Sequence, residues 1–379
     1  MKNSIAKKHP YIRDRLLCVL PILAYVSMQY RVDTMLLNAS LIITFLILIL
    51  ILAFSVNYFS AYDFAILFLN IISIIITLNL YSGIGVALNY LNLFLCFMIF
   101  NTVEFSEKAI MITRIMMTVG ILCFLITSTY SVEWGFISFY DKNGSLINNN
   151  TVSLIFVALY IHLSAFLLKR CTKPRIIALF ILFAFCFVSV YVLGCRSAML
   201  FFVLYVFLII FSKKIATRNI SIRKLCITFL IISFIFPLLY IFLYNQIGNF
   251  EIMGKSMFSG REIVWLEAYK HIQNSPLFGS GTEFIINYGN SATMSTHNML
   301  LGLWKNLGIV PVISFVSFYV LDNGPKIEKN IMISKIAIII IAFFESFLMD
   351  SRLYLLFLLA LPGQKHNFNL EKKNFKRLL

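Results

Sequence analysis

Apolar residues fall in blocks along this chain, most close to twenty residues long, separated by short polar stretches. A helix rises about 1.5 Å per residue, so about twenty apolar residues cross the roughly 30 Å of a bilayer's hydrocarbon. The pattern predicts twelve helices: Leu16 to Tyr30, Met35 to Val56, Tyr62 to Leu80, Ile84 to Asn101, Ala109 to Tyr130, Thr151 to Leu168, Ile176 to Leu193, Ala198 to Phe211, Leu225 to Asn245, Asn298 to Leu321, Ile331 to Met349 and Leu353 to Leu361. The first, eighth and last are short. The expected fold is therefore all-α, a single polytopic membrane domain over residues 1–379. Two connections exceed the usual few residues: 131–150, with the turn-rich stretch DKNGSLINNN, and 246–297 between the ninth and tenth helices. Long connections of this kind carry function more often than they merely join elements.

Composition agrees with the pattern. With 60% hydrophobic and 13% charged residues and a mean hydropathy of +0.88, the chain has more apolar surface than a soluble core can bury. The net charge of +16 changes the picture only through its placement. Lys2, Lys7, Lys8, Arg13 and Arg15 form one basic cluster; Lys169, Arg170, Lys173 and Arg175 a second; Lys213, Lys214, Arg218, Arg223 and Lys224 a third. Lys326, Lys329 and Lys335, and the tail from Lys365 to Arg377, complete the set. In a twelve-span layout all fall on one side, which the positive-inside rule makes cytoplasmic, with both termini. The charge is thus a topology signal and not a nucleic-acid surface. No small-residue cleavage site follows the first apolar run, so it reads as a span and not a removed signal. The seven cysteines show neither a CxxC nor a Cys/His spacing, so neither a disulfide framework nor a zinc site is expected.

The 246–297 loop carries its own pattern. Ser259-Gly-Arg-Glu262 reads as a capping box, and Trp265, Ala268, Tyr269 and Ile272 follow at helical spacing. These predict an amphipathic helix near 260–273, stopped by Asn274-Ser-Pro276, with its apolar stripe on the membrane surface or the bundle. Arg261 stands at the edge of that stripe, where a guanidinium beside free backbone N–H groups makes an anion site. A glycine-rich turn, Leu277-Phe-Gly-Ser-Gly281, comes next, then a polar stretch ending in His297-Asn298.

Each candidate has a plainer reading. Arg261 can be a solvated loop charge, and Arg196, in Gly194-Cys-Arg-Ser197, can snorkel to the headgroups. Basic residues are nevertheless depleted on the outer side unless something holds them there. Arg114 reads as snorkelling from the inner end of the fifth span. Arg352, two residues after Asp350 and near Glu345, reads as an ion-paired cap and is kept with Asn298 as a supporting residue. His271 falls on the polar helix face and reads as solvent-exposed. His297 is either an interfacial hydrogen-bonding residue or a base poised near neutral pH.

Taken in order, Gly194-Cys-Arg-Ser197, Ser259-Gly-Arg-Glu-Ile-Val-Trp265, Ser275-Pro-Leu-Phe-Gly-Ser-Gly281 and His297-Asn298 leading to Asn306-Leu-Gly308 resemble the O-antigen polymerase and ligase superfamily of bacterial envelope biogenesis. The resemblance covers roughly residues 176–309. It implies a multi-pass glycosyltransferase of the bacterial inner membrane, taking an undecaprenyl-diphosphate-linked glycan from the periplasmic face, with no cofactor and no metal. It maps a donor-diphosphate role onto Arg196 and Arg261 and a catalytic role onto Arg261 and the loop-end His297, beside which Asn298 would hold either the imidazole or the sugar. Such chemistry needs a counter-charge for the leaving diphosphate, which arginines supply in place of a metal. Polymerase is the preferred expectation, because no extra basic outer surface for an anionic lipopolysaccharide core is evident. Ligase transfer to lipid A core and a capsule or exopolysaccharide polymerase are the alternatives, and a lipid-linked oligosaccharide transporter ranks third. Expected partners are the lipid-linked oligosaccharide and membrane lipid, with room for a chain-length regulator protein and none for nucleic acid.

Overall fold

The structure is a computed structural model that describes residues 2–29, 34–81, 84–133, 136–140, 144, 146–167, 173–217, 222–247, 251–252, 255–256, 260–281, 286–288, 291–293, 296–316, 336, 338–339, 342, 350 and 353–361. Nine long helices open the chain: α1 (Lys2–Gln29), α2 (Thr34–Ala53), α3 (Ala61–Tyr81), α4 (Ile84–Thr102), α5 (Glu107–Thr127), α6 (Asn149–Leu167), α7 (Lys173–Val192), α8 (Arg196–Thr217) and α9 (Ile222–Ile247). They overlap the first nine expected spans, but α1 begins at Lys2 and not Leu16, and α8 runs on past Phe211 to Thr217. Among the described residues, four stretches, Thr34–Ala53, Gly85–Thr102, Glu107–Thr127 and Pro174–Val192, are long and apolar enough to cross a membrane. The chain is an all-α polytopic membrane protein, and its surface has the matching polarity. Along α7, Ile177, Phe180, Ile181, Phe185 and Val188 all face outward, which costs nothing in lipid.

Polar residues turn inward instead and link the helices. Ser27 and Ser40 join α1 to α2 at 2.8 Å, and Asn92 Nδ2 donates to the Leu41 carbonyl of α2 at 3.0 Å. Ser164 and Tyr205 pair at 2.9 Å between α6 and α8. Lipid offers no hydrophobic drive to pack helices, so small residues and such bonds take over that work.

After α9 come α10 (Arg261–Asn274), α11 (Met299–Leu307), α12 (Ile309–Phe315) and α13 (Tyr354–Leu358). Here the structure departs from the sequence reading in several places. The 131–150 connection is not simply turn-rich. It holds an antiparallel meander of β1 (Thr129–Glu133), β2 (Phe136–Tyr140) and β3 (Leu146–Ile147), paired as Ser131 with Ser138 and Phe139 with Ile147. The aromatic and β-branched residues of TYSVE and FISFY favour extended backbone. Short ladders, β4 (Glu251–Ile252) with β5 (Lys255–Ser256) and β6 (Ile286–Tyr288) with β7 (Ser291–Thr293), flank α10. The expected tenth span is broken at Gly308 into α11 and α12. Arg114 does not snorkel away from the bundle; its Nη2 reaches the Ala360 carbonyl at 3.5 Å. Most of the expected eleventh helix, together with Glu345 and Arg352, lies outside the described residues.

Candidate active site

The loop helix α10 packs along the middle of α9. Trp265 is fully buried, its ring edge-on to Phe236 and Tyr240 of α9 with centroids 6.0 and 4.9 Å apart. Tyr269 donates its hydroxyl to the Phe234 carbonyl at 3.0 Å, and burial pushes its phenol up to about 12. Of the predicted stripe, Trp265, Ala268 and Ile272 are buried and Tyr269 is half-buried; Trp265 and Ile272, with Val264 and with Leu301 of α11, form a small core separate from the main one. The capping box is not formed as read. The N-cap is Gly260, no side chain caps it, and the helix opens at Arg261; Ser259 lies outside the described residues.

His297-Asn298 is fixed from both sides. The Trp265 indole donates to the Thr296 carbonyl at 2.6 Å, and the Thr296 hydroxyl donates to the Asn298 carbonyl at 2.7 Å. Between them His297 takes φ of 49°, the left-handed region, alone among described non-glycine residues. Asn298 is fully buried and serves backbone groups on both sides. Its Oδ1 accepts from Leu301 N at 3.1 Å, capping α11, and its Nδ2 donates to the Ser233 carbonyl at 3.1 Å. The latter bond has a cause in α9: Pro237, four residues on, has no N–H for that carbonyl. Asn298 is thus a scaffold residue, whereas the sequence suggested that it holds an imidazole or a sugar.

Two further motifs meet as backbone. The 275–281 turn fits into the gap between α11 and α12: Ser280 N and Gly281 N donate to the Lys305 and Asn306 carbonyls at 2.7 and 3.0 Å, and Ile309 N donates to the Pro276 carbonyl at 3.1 Å. Side chains pin it, with Thr77 Oγ1 on the Phe278 carbonyl at 3.1 Å and Trp304 Nε1 on the Pro276 carbonyl at 2.9 Å. Gly279 and Gly308 make this approach feasible, both at positive φ (70° and 86°); a Cβ on Gly308 would stand 1.9 Å from the Leu277 oxygen.

The candidate arginines occupy equivalent positions on different elements. Arg196 is the first residue of α8 and Arg261 the first of α10, and both are half-buried. The Tyr240 phenol is within charge–charge reach of Arg261, Glu262 and Arg196. Residues distant in sequence are therefore gathered where α8, α9 and α10 meet, beside two helix N-termini whose dipoles favour an anion. His297 lies on the segment bonded to Trp265 of the same helix. Sequence reasoning missed Glu262, which is 6% exposed and whose carboxyl is held above its ordinary value by burial. The apparent capping box had already given that glutamate a role. It also missed Lys305, fully buried on α11 and facing His271; a lysine inside an apolar span is the signal that could have found it. His271 is half-buried and not solvent-exposed as read, and burial with the neighbouring Lys305 charge lowers its pKa.

Residues 178–316 match the family model described as O-antigen ligase. No curated protein matches the chain. All four sequence motifs, from Gly194 to Gly308, lie inside the matched residues. Over residues 178–316, somewhat more than a third of its length, the chain is thus similar to the O-antigen ligase family.

Proposed function

We propose that the protein is a polysaccharide repeat-unit polymerase of the O-antigen type. It joins glycans carried on undecaprenyl diphosphate at the periplasmic face of the inner membrane, by inverting transfer. The observation that carries this reading is the convergence of Arg196 and Arg261, each opening a helix, on the one phenol of Tyr240. Two guanidiniums at helix N-termini suit a diphosphate, whose oxygens accept paired hydrogen bonds. In the reaction the acceptor hydroxyl oxygen attacks the anomeric carbon, and its proton passes to His297. The anomeric C–O bond breaks with its electron pair going to the diphosphate, where the arginines stabilise the charge. The fixed left-handed backbone at His297, tied to α10 through Thr296 and Trp265, supports a positioned base.

The test is reconstitution of the full chain in proteoliposomes with an undecaprenyl-diphosphate-linked repeat unit, with products sized on gels. A ladder made by wild type and lost in Arg196→Ala, Arg261→Ala and His297→Ala is expected. Full ladders from all three variants would refute the assignment. Transfer only when lipid A core is supplied would make the protein a ligase.

A further inference from the structure

Glu262 is the group at this site that the proposed reaction leaves unused. It lies in the first turn of α10 beside Arg261, with 6% of its surface exposed. One carboxyl oxygen takes its own backbone N–H, and Oε2 is buried with no hydrogen-bond partner among the described residues. The Tyr240 phenol that senses both arginines senses this carboxylate as well. An ionised carboxylate among groups gathered for an anion would repel the ligand they attract. A neutral carboxylic acid would instead offer an O–H donor from the oxygen that lacks a partner.

Resting on the reading of the site as a diphosphate site, we propose that Glu262 is a further ligand of the donor, meeting it as a carboxylic acid that donates a hydrogen bond to a phosphate oxygen. Donor loading then takes up one proton. The charge count agrees: a diphosphate diester carries one negative charge on each phosphate, which two guanidiniums balance only when Glu262 is neutral. Burial of the carboxyl, which already favours its protonated form, acts in the same direction. Among the described residues, the groups facing α10 from its neighbours do not provide a different charge balance. On α9 these are Tyr240 and, further along, Tyr244; Lys305 of α11 faces His271 near the other end of α10; and His297 follows the residue bonded to Trp265. Arg196 and Arg261 are the charges at the Glu262 end.

The experiment measures binding of undecaprenyl diphosphate bearing one sugar, a diester without its own titration near neutrality, to the full chain in nanodiscs from pH 5 to pH 8.5. Wild type is expected to weaken with rising pH, approaching tenfold per unit above the carboxyl's pKa. Glu262→Gln, which keeps a donor but cannot ionise, is expected to give a flat profile. Glu262→Ala is expected to bind about tenfold or more weakly at the acid end, the loss of a hydrogen bond to a charged group. A Glu262→Gln profile that follows wild type would overturn the proposal. So would unaltered binding with turnover lost in both variants, which would make Glu262 a base. Arg196→Ala and Arg261→Ala test the underlying reading separately. Wild-type affinity in both would remove the diphosphate site and this inference with it, whereas weak binding there beside an unchanged Glu262→Gln profile would remove the inference alone.

Discussion

If Asn298 is the partner that Pro237 requires, the two residues must be energetically coupled although they are remote in sequence. Asn298→Ala removes two bonds. The α11 cap is worth about 1 kcal/mol, and the Ser233 carbonyl, left buried without a donor, costs about 1–3 kcal/mol more. The single variant should therefore lose about 2–4 kcal/mol of local stability. Pro237→Ala restores an N–H to α9, giving that carbonyl an intrahelical donor. In the Pro237→Ala background, then, Asn298→Ala should cost only the cap, and the double-mutant cycle should return about 1–3 kcal/mol of coupling. Thermal unfolding in detergent, with proteolysis of the α10–α11 segment, measures all four chains. Additive effects, with Asn298→Ala equally costly in both backgrounds, would refute the reasoning and return Asn298 to the substrate.

Other perturbations probe the same framework. Gly308→Ala should dislodge the 275–281 turn at a cost of several kcal/mol, because the new Cβ would stand 1.9 Å from the Leu277 oxygen. Gly144→Ala, also at positive φ but with nothing within 4 Å, should cost only about 1 kcal/mol; equal melting shifts in the two would count against the docked turn. Glu262, with its carboxyl raised by burial, contributes stability that is present below its unfolded value of about 4.3 and lost as pH rises through the folded value. Glu262→Gln should accordingly raise the melting temperature at pH 7 and lose that gain near pH 4, as pH-dependent unfolding scans would reveal. His271, lowered by burial and Lys305, has the opposite sign: its contribution is present above about 6.5 and fades as pH falls, so His271→Gln should flatten that limb of the same scan. Arg196→Lys and Arg261→Lys keep charge but lose the planar fork, and should weaken donor binding about tenfold in titrations.

The spans were legible because their signal is summed over about twenty residues, a length the bilayer itself imposes. The stripe of α10 was legible for a similar reason, since Trp265, Ala268 and Ile272 recur at the period of the helix. What escaped depended on single residues or on distant partners. Apolar sequence continues on both sides of Gly308, so hydropathy runs through a break that only the docked turn requires. The β1 strand begins inside what reads as the end of the fifth span, because tyrosine and valine serve a strand as well as an apolar helix. Asn298 looked chemical beside a histidine; the reason for its amide lies in a proline of another helix.

The four motifs also separate by physical task. Gly194-Cys-Arg-Ser197 and Gly260-Arg-Glu262 open helices with a guanidinium at the N-terminus. Ser275 to Gly281 and Asn306 to Gly308 do not present side-chain chemistry; they hold the end of α10 against α11 by main-chain bonds. That division matters for reactivity, because Arg261 and the segment preceding His297 are both referenced to α10, one at its first residue and one through Trp265. In the proposed reaction, a shift of α10 would move the leaving-group site and the proton acceptor together relative to Arg196, which belongs to α8. Misplacement by about 1 Å can cost on the order of a hundredfold in rate. Under that proposal the docked turn, at the end of α10 opposite Arg261, sets the alignment of the reaction by fixing the helix on which two of its three groups depend.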